Sequence, residues 1–215
     1  MGELNLVTII VIAANVIISF KGFNDNAFFE KYKFNVGDIQ RGAKYQILTS
    51  GFLHVNTGHL LVNMLTLYFF ANVVIYDIGT TGFIIVYLAS LILGNLLSYF
   101  FHKNEPFYRA VGASGAVMGI LYSAILLYPD MTLGLFFVIP MPAYIFGIGY
   151  LLYTIYGMKR QLGNIGHDAH FGGAVGGYLL TLMLAPWVFE THLLMVILLA
   201  IPIVILFVLQ KMGKI

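Results

Sequence analysis

The run Leu193–Leu209, LLMVILLAIPIVILFVL, is seventeen consecutive residues long and carries no charge. A helix needs about 20 mostly apolar residues to cross the hydrocarbon core of a bilayer, with a range of about 17–25. Six comparable apolar stretches precede it: Leu4–Phe20, Leu60–Tyr76, Phe83–Phe101, Val111–Tyr128, Leu133–Tyr156 and Phe171–Val188. A membrane β-barrel would instead alternate apolar and polar residues in segments of about 10. The sequence therefore predicts an all-α polytopic membrane protein with seven spans.

The composition of the whole chain supports the membrane assignment. Of its 215 residues, 60% are hydrophobic and 9% are charged, whereas soluble domains average about 45–50% and 25%. An ordinary cytosolic enzyme and a disordered chain are thereby excluded, and a net charge of +2 is too small to indicate a nucleic-acid partner. The absence of cysteine excludes disulfides, thiolate zinc sites and cysteine nucleophiles. We expect a multi-pass protein of the cell membrane, in contact with lipid; its oligomeric state is left open.

The basic residues all fall on one set of connections. The eleven Lys and Arg side chains lie after spans one, three, five and seven. The positive-inside rule would place these connections in the cytoplasm. Five of the eleven lie in one connection, Lys21–Leu53, where charges alternate with aromatic residues. That mixture favours a segment lying at the membrane interface, with a solvated loop as the alternative.

Polar residues gather at the start of span two. His59 and Asn63 are four residues apart and therefore share one helix face. Polar groups inside a membrane are costly, so each one is a candidate functional residue. We interpret His59 and Asn63 together as part of a site. For His54, just before the helix, we favour a capping or anchoring role at the interface.

A second cluster opens span four with Gly112, Ala113, Ser114 and Gly115. A serine between small residues at a helix start can present its hydroxyl, and its backbone N–H can meet a developing anion. Close helix packing through small residues is the alternative interpretation of this pattern.

A third cluster opens span six, where His170 is followed by Gly173 and Gly177 along one helix face. These glycines predict close packing against a neighbouring helix. A capping histidine beside an ordinary glycine interface is the alternative.

The three clusters share one membrane face, because spans two, four and six all begin there. Ser114 and His170 could then act as nucleophile and general base, while the Ser114 N–H, His59 and Asn63 stabilise an oxyanion. Asp168 lies two residues from His170, a spacing that does not bring side chains together on a helix. We interpret it as a loop acid or N-cap and favour a Ser–His dyad over a triad.

These motifs resemble those of the rhomboid family of intramembrane serine proteases. His54, His59 and Asn63 are similar to its His-x4-His-x3-Asn signature. Gly112–Gly115 resembles its Gly-x-Ser-Gly nucleophile motif, and Ala169–Gly177 resembles its histidine motif. The similarity in the order and spacing of spans runs from about Leu4 to Val188.

The resemblance implies an intramembrane serine endopeptidase with Ser114 as nucleophile and His170 as base. His59, Asn63 and the Ser114 amide would bind the oxyanion, with Gly112 and His54 as supporting residues. Residues 1–188 would form a six-helix catalytic domain around a water-filled cavity, and 189–215 an additional transmembrane helix with a short basic tail. The substrates would be single-pass membrane proteins, and no metal or other cofactor is implied.

Three departures from the family pattern bear on this interpretation. Tyr45 and Gln46 stand where the family often has Trp-Arg, and Met118 stands where it often has an aromatic residue against the histidine. Family members of this type usually open their site to the outside, which conflicts with the positive-inside reading. Orientation is therefore left open.

Two other functions remain as alternatives. The first is a non-catalytic relative that binds transmembrane segments. The second is a metal transporter that uses five candidate ligands: His54, His59, His167, Asp168 and His170. Carboxylates near the middle of the membrane would be expected for such a transporter, and the predicted spans contain none.

Overall fold

The structure is a computed structural model that describes residues 4–135, 139–160, 162 and 165–215. The described residues are mostly helical, as the apolar runs predict. The helices are α1 (Leu6–Asn24), α2 (Asn26–Tyr32), α3 (Val36–Gln40), α4 (Gln46–Thr49), α5 (Thr57–His102), α6 (Ser114–Leu127), α7 (Ala143–Arg160), α8 (His167–Leu184), α9 (Val188–Thr191) and α10 (Leu193–Lys211). The described residues also form four short strands: β1 (Phe34–Asn35), β2 (Arg109–Ala110), β3 (Thr132–Leu135) and β4 (Ile139–Pro142).

Three of the described helices are long and apolar enough to cross a membrane, namely α1, α5 and α10. Helix α5 has 46 residues, which corresponds to about 69 Å of helix, or twice a hydrocarbon core of about 30 Å. Its backbone leaves the helical region at Gly79, where φ is 71° and ψ is 172°. The kink divides α5 at the point where the sequence predicts the connection between spans two and three.

Helix α6 lies at the centre of the described structure. All its residues from Gly115 to Leu127 are buried, apart from the half-buried Met118. Its 14 residues span only about 21 Å, which leaves about 9 Å of a hydrocarbon core uncovered. The predicted span Val111–Tyr128 begins three residues too early, because the positive φ of 137° at Gly112 keeps the backbone out of the helix.

The predicted span Leu133–Tyr156 is wrong in its first part. Strands β3 and β4 pair there as an antiparallel hairpin, and α7 begins only at Ala143. Pro140 and Pro142 lie in β4. Proline cannot supply the backbone N–H that a helix interior needs, so the helix starts directly after the second proline.

The sixth helix also has different bounds from the predicted Phe171–Val188. Helix α8 begins four residues earlier, at His167, and ends at Leu184. The helix ends there because Pro186, which follows the C-cap residue Ala185, cannot continue a helix. The earlier start brings Asp168 and His170 into the first turn of the helix.

Glycines let α8 pack closely against two helices at once. A Cβ built on Gly173 would overlap the carbonyl oxygen of Gly115, and one on Gly177 would overlap that of Gly119, both on α6. On the neighbouring face, a Cβ on Gly172 would lie 2.9 Å from the Gly94 Cα of α5. Such contacts require the absence of side chains, so they fix the position of α8 against α5 and α6.

The connection between α1 and α5 is folded, and its predicted place at the membrane interface stays a prediction. Strand β1 pairs antiparallel with β2, and Phe34 is fully buried. The Gln46 side chain is also buried: its Oε1 accepts from the Asn35 N–H at 3.1 Å, and its Nε2 donates to the Lys31 carbonyl at 3.1 Å. A neutral amide therefore anchors this connection at the position where the family often has arginine.

Candidate active site

The first turns of α5, α6 and α8 meet at one end of the helix core, as the shared membrane face predicts. The His59 ring of α5 lies against Gly112, two residues before Ser114. A Cβ built on Gly115 would lie 3.3 Å from the Ala169 carbonyl oxygen of α8. Ser114 and His170 are the chain neighbours of those two contacting residues.

Gly112 is required at its position for two independent reasons. Its φ of 137° lies in the region that favours glycine. A Cβ there would also lie 2.6 Å from the His59 Cε1 and 2.9 Å from its Nε2. Its own N–H donates to the Ser50 carbonyl at 3.0 Å, which fixes the turn that leads into α6.

Ser114 is the first residue of α6 and is half-buried. The N-cap residue, Ala113, offers no side-chain cap to the helix. Free N–H groups at a helix start carry the positive end of the helix dipole. The turn at Ser114 can therefore receive an anion.

His59 and Asn63 carry polar atoms without hydrogen bonds among the described residues. These atoms are the His59 Nδ1 and the Asn63 Nδ2, and both are buried. Buried polar atoms are normally paired, so unpaired ones need an explanation. The Asn63 Nδ2 is thus a donor, and the His59 ring a further polar group, that a reacting group could use.

His54 contributes to the site through a chain of hydrogen bonds. Its ring is fully buried, and burial, followed by the nearby His59, lowers the pKa of His54 to about 3. The neutral Nε2 accepts from the Ala113 N–H at 3.4 Å, so Nδ1 carries the proton and donates to the Ser19 Oγ at 2.8 Å. The Ser19 hydroxyl then donates to the Phe52 carbonyl at 3.0 Å.

Of the two roles predicted for His54, capping is therefore wrong, and anchoring at the interface stays a prediction. The N-cap of α5 is Asn56, whose side chain accepts from the His59 N–H at 2.8 Å. His54 instead ties the residue before Ser114 to α1.

The half-buried His170 is hydrogen-bonded to a residue that the sequence interpretation missed. The Tyr150 hydroxyl of α7 lies 2.7 Å from the His170 Nδ1. No hydrogen bond joins the Ser114 hydroxyl to His170 in the part of the chain that the structure describes. Catalytic hydrogen bonds are often long in substrate-free enzymes and shorten in complexes.

Asp168 is neither a loop acid nor an N-cap, because it lies in the first turn of α8 behind the N-cap Gly166. It is buried, and its Oδ2 lies 3.4 Å from the His102 Nε2 at the end of α5. The His102 ring stacks on Tyr108, with 3.6 Å between centroids and 8° between planes. Asp168 thus joins the start of α8 to the end of α5 and has a partner other than His170.

A surface cavity of about 480 Å³ lies beside this ion pair. His102, Asp168, His167 and Lys159 belong to its lining, whereas Ser114 and His170 do not. The cavity is therefore separate from the predicted nucleophile and base.

The five side chains proposed as metal ligands do not converge. Within the described ranges, no three His, Cys, Asp or Glu side chains are grouped to hold a metal ion. His167 Nε2 lies 3.1 Å from the Leu162 carbonyl, while His54 and His170 pair with Ser19 and Tyr150. This arrangement offers no support for the transporter alternative.

Two residues near the site, Tyr150 and His102, have no sequence signal that would have identified them. Tyr150 is one of several tyrosines in α7, and His102 is the last residue of an apolar helix. Their partners are 20 and 66 positions away along the chain, respectively. Only the helix packing shows which of these aromatic and basic side chains face α8.

The comparisons with known proteins agree with this architecture. A rhomboid domain family model matches residues 41–187. The chain is 30% identical over 181 residues to RHOMBOID-like protein 12, mitochondrial, of Arabidopsis thaliana. That match covers 77% of this chain and 54% of the relative, so the chain spans about half of the relative's length. The family match covers most of the chain, and the starts of α5, α6 and α8 meet as described above. The protein therefore belongs to the rhomboid family of membrane proteins.

Proposed function

We propose that the protein is an intramembrane serine endopeptidase that uses Ser114 and His170 as a catalytic dyad. The observation that carries the proposal is the contact between Gly115 and Ala169, which joins the first turn of α6 to the first turn of α8. Ser114 and His170 adjoin these residues, so a nucleophile and a base lie together at the start of a short, buried helix.

The first half of the reaction would form an acyl-enzyme. The Ser114 Oγ attacks the scissile carbonyl while the His170 Nε2 takes the hydroxyl proton. The resulting imidazolium then gives that proton to the leaving amine as the peptide bond breaks. In the second half, His170 activates a water molecule that hydrolyses the ester and frees Ser114.

The oxyanion of the tetrahedral intermediate would be stabilised by donors from two helices. The Ser114 N–H lies at the uncapped start of α6, and Asn63 has an unpaired Nδ2. His59 lies against Gly112 and adds a third polar group. Removing one oxyanion donor from a serine protease slows turnover by about 10²–10³-fold.

The proposed substrates are single-pass membrane proteins, cut in or near their transmembrane segments. An active serine near the start of a helix too short to cross the bilayer would be reached from within the membrane. The division into a catalytic domain over residues 1–188 and an added helix over 189–215 stays a prediction, as does location in the cell membrane. The Arabidopsis relative is named as mitochondrial.

The test is cleavage of a single-pass reporter protein by detergent-purified enzyme, with wild type beside Ser114→Ala. The proposal predicts product from wild type alone. Ser123→Ala is a suitable control, because Ser123 lies on the same helix but bonds to the Gly119 carbonyl at 2.9 Å. Equal product from wild type and Ser114→Ala would refute the assignment of the nucleophile.

The non-catalytic alternative makes the opposite prediction in the same assay. It is favoured by one observation, namely that no hydrogen bond joins Ser114 to His170 among the described residues. A folded wild-type protein that binds the reporter and yields no product would support this alternative.

A further inference from the structure

We infer that Tyr150 is a positioning residue that orients His170 and selects its tautomer, in the role that a carboxylate fills in a Ser-His-Asp triad. The inference rests on the proposed function, because it concerns how the general base is prepared. It adds a residue from α7 to a site whose other members come from α5, α6 and α8.

A short hydrogen bond joins Tyr150 to His170, and the tyrosine ring is packed against a further aromatic ring. The Tyr150 hydroxyl lies 2.7 Å from the His170 Nδ1. The two ring centroids are 6.2 Å apart with 26° between planes. Phe146, one turn earlier on α7, stacks on Tyr150 with 5.6 Å between centroids, so the tyrosine ring is itself held in place.

This contact decides which histidine nitrogen is available to the serine. A neutral imidazole has one nitrogen that donates and one that accepts. The base must accept the Ser114 proton, and Nδ1 is engaged with Tyr150, which leaves Nε2 for the serine. The Tyr150 hydroxyl can accept as well as donate, so in the tautomer that leaves Nε2 free to act as base, Nδ1 carries the proton and donates it to the Tyr150 oxygen.

No other described side chain competes for this role. Asp168, the nearest acid along the chain, is paired with His102 at 3.4 Å. Met118 stands on α6 where the family often has an aromatic residue, and it packs in the hydrophobic core. The aromatic neighbour of His170 comes from α7 instead.

A tyrosine differs from a carboxylate because its oxygen is neutral. It can fix the ring and its tautomer, but it stabilises the imidazolium less than an aspartate would. We therefore expect a smaller loss on removing the Tyr150 hydroxyl than the loss of about 10⁴-fold found when a triad aspartate is neutralised.

The test compares Tyr150→Phe with Tyr153→Phe in the reporter cleavage assay. Phenylalanine keeps the ring that stacks on Phe146 and removes only the hydroxyl. Tyr153 is the matched control, because its ring contacts Tyr150 and His167, and among the described residues it makes no hydrogen bond to His170. We expect kcat of Tyr150→Phe to fall about 10- to 100-fold with KM and thermal midpoint little changed, and Tyr153→Phe to behave as wild type.

A spectroscopic measurement separates this inference from the proposed function. Histidine ¹⁵N NMR of wild type, with His170 assigned by its loss in His170→Ala, should show the Nδ1–H tautomer, and Tyr150→Phe should shift the balance toward Nε2–H. This signal does not depend on turnover. A wild-type enzyme that cleaves the reporter while Tyr150→Phe keeps the same kcat and tautomer would overturn the inference alone. A wild type with the Nδ1–H tautomer but no cleavage would overturn the proposed function alone.

Discussion

Helix α8 makes two contacts near the candidate site, and they differ in kind. Against α6, the contact is backbone on backbone: Gly173 faces the Gly115 carbonyl and Gly177 faces the Gly119 carbonyl. Against α7, the contact is made by side chains, with Tyr150 on His170 and the Tyr153 ring 5.4 Å from the His167 ring. The first contact leaves no room for side chains, whereas the second depends on which side chains are present.

The difference separates two requirements of a Ser–His site. The distance between α6 and α8 determines how far apart the two residues of the proposed dyad lie, and the glycines fix that distance. The orientation of the imidazole ring is a separate requirement, which we propose that the hydroxyl of Tyr150 meets from α7. Changes to the first contact should therefore affect folding and activity together, and removal of the Tyr150 hydroxyl from the second should affect activity alone.

Gly173→Val should have the largest effect, because its side chain would overlap the Gly115 carbonyl and separate α6 from α8. We expect a loss of about 3 kcal/mol in stability and no measurable cleavage. Gly149→Val is the control, since nothing lies within 4 Å of a Cβ at Gly149. Thermal unfolding in detergent measures the effect, and an unchanged midpoint for Gly173→Val would contradict the packing account.

His170→Ala should lower the rate of cleavage by about 10³-fold or more and leave the fold intact. The alanine removes the base and keeps the glycine contact between α6 and α8. Turnover of the reporter and thermal unfolding, measured together, test this separation. Turnover at the wild-type rate would remove His170 from the dyad.

Asn63→Ala should lower kcat by about 10²-fold, which is less than Ser114→Ala, because other oxyanion donors remain. Its Nδ2 has no protein partner among the described residues, so stability should change little. Asn95→Ala is the control that should lose stability, because the Asn95 Nδ2 donates to the Ile47 carbonyl at 2.7 Å and to the Ser50 Oγ at 3.1 Å. If Asn63→Ala lost as much stability as Asn95→Ala, its role would be structural.

Asp168→Asn should have the smallest effect on turnover, because its partner is His102 and not His170. We expect less than a tenfold change in kcat and a loss of about 1–3 kcal/mol in stability, since a buried charge pair is broken. His102→Gln should lower stability in the same way. A collapse of kcat in Asp168→Asn at unchanged stability would instead place the aspartate in the catalytic group.

Much of the fold follows from the sequence, because long apolar runs with polar clusters at their ends can adopt few structures in a membrane. Helix α10 begins at the predicted Leu193, and the starts of α5, α6 and α8 meet as their shared face predicts. The predicted span from Leu133 is wrong in its first part, since a short apolar segment can form a strand as well as a helix. Only the position of its two prolines distinguishes the hairpin from the helix that follows.

The parts of the site that sequence could not give are long-range side-chain pairs. Two motifs of the site are each local and can be seen in the sequence, namely Gly112 with Ser114 and Gly173 with Gly177. The pairing of His170 with Tyr150, and of Asp168 with His102, depends on how α7 and α5 are rotated about their axes. Neither helix has a polar stripe strong enough to fix that rotation from its sequence.

The most direct test of the central claim is covalent labelling of the purified protein with a fluorophosphonate, followed by peptide mass spectrometry. The reagent bonds to an activated serine oxygen and releases fluoride, so it reports on the nucleophile and its base without a substrate. The account predicts a single adduct on Ser114 in wild type and none in a folded His170→Ala variant. Equal labelling of Ser114 in both proteins, or an adduct on another serine alone, would contradict it.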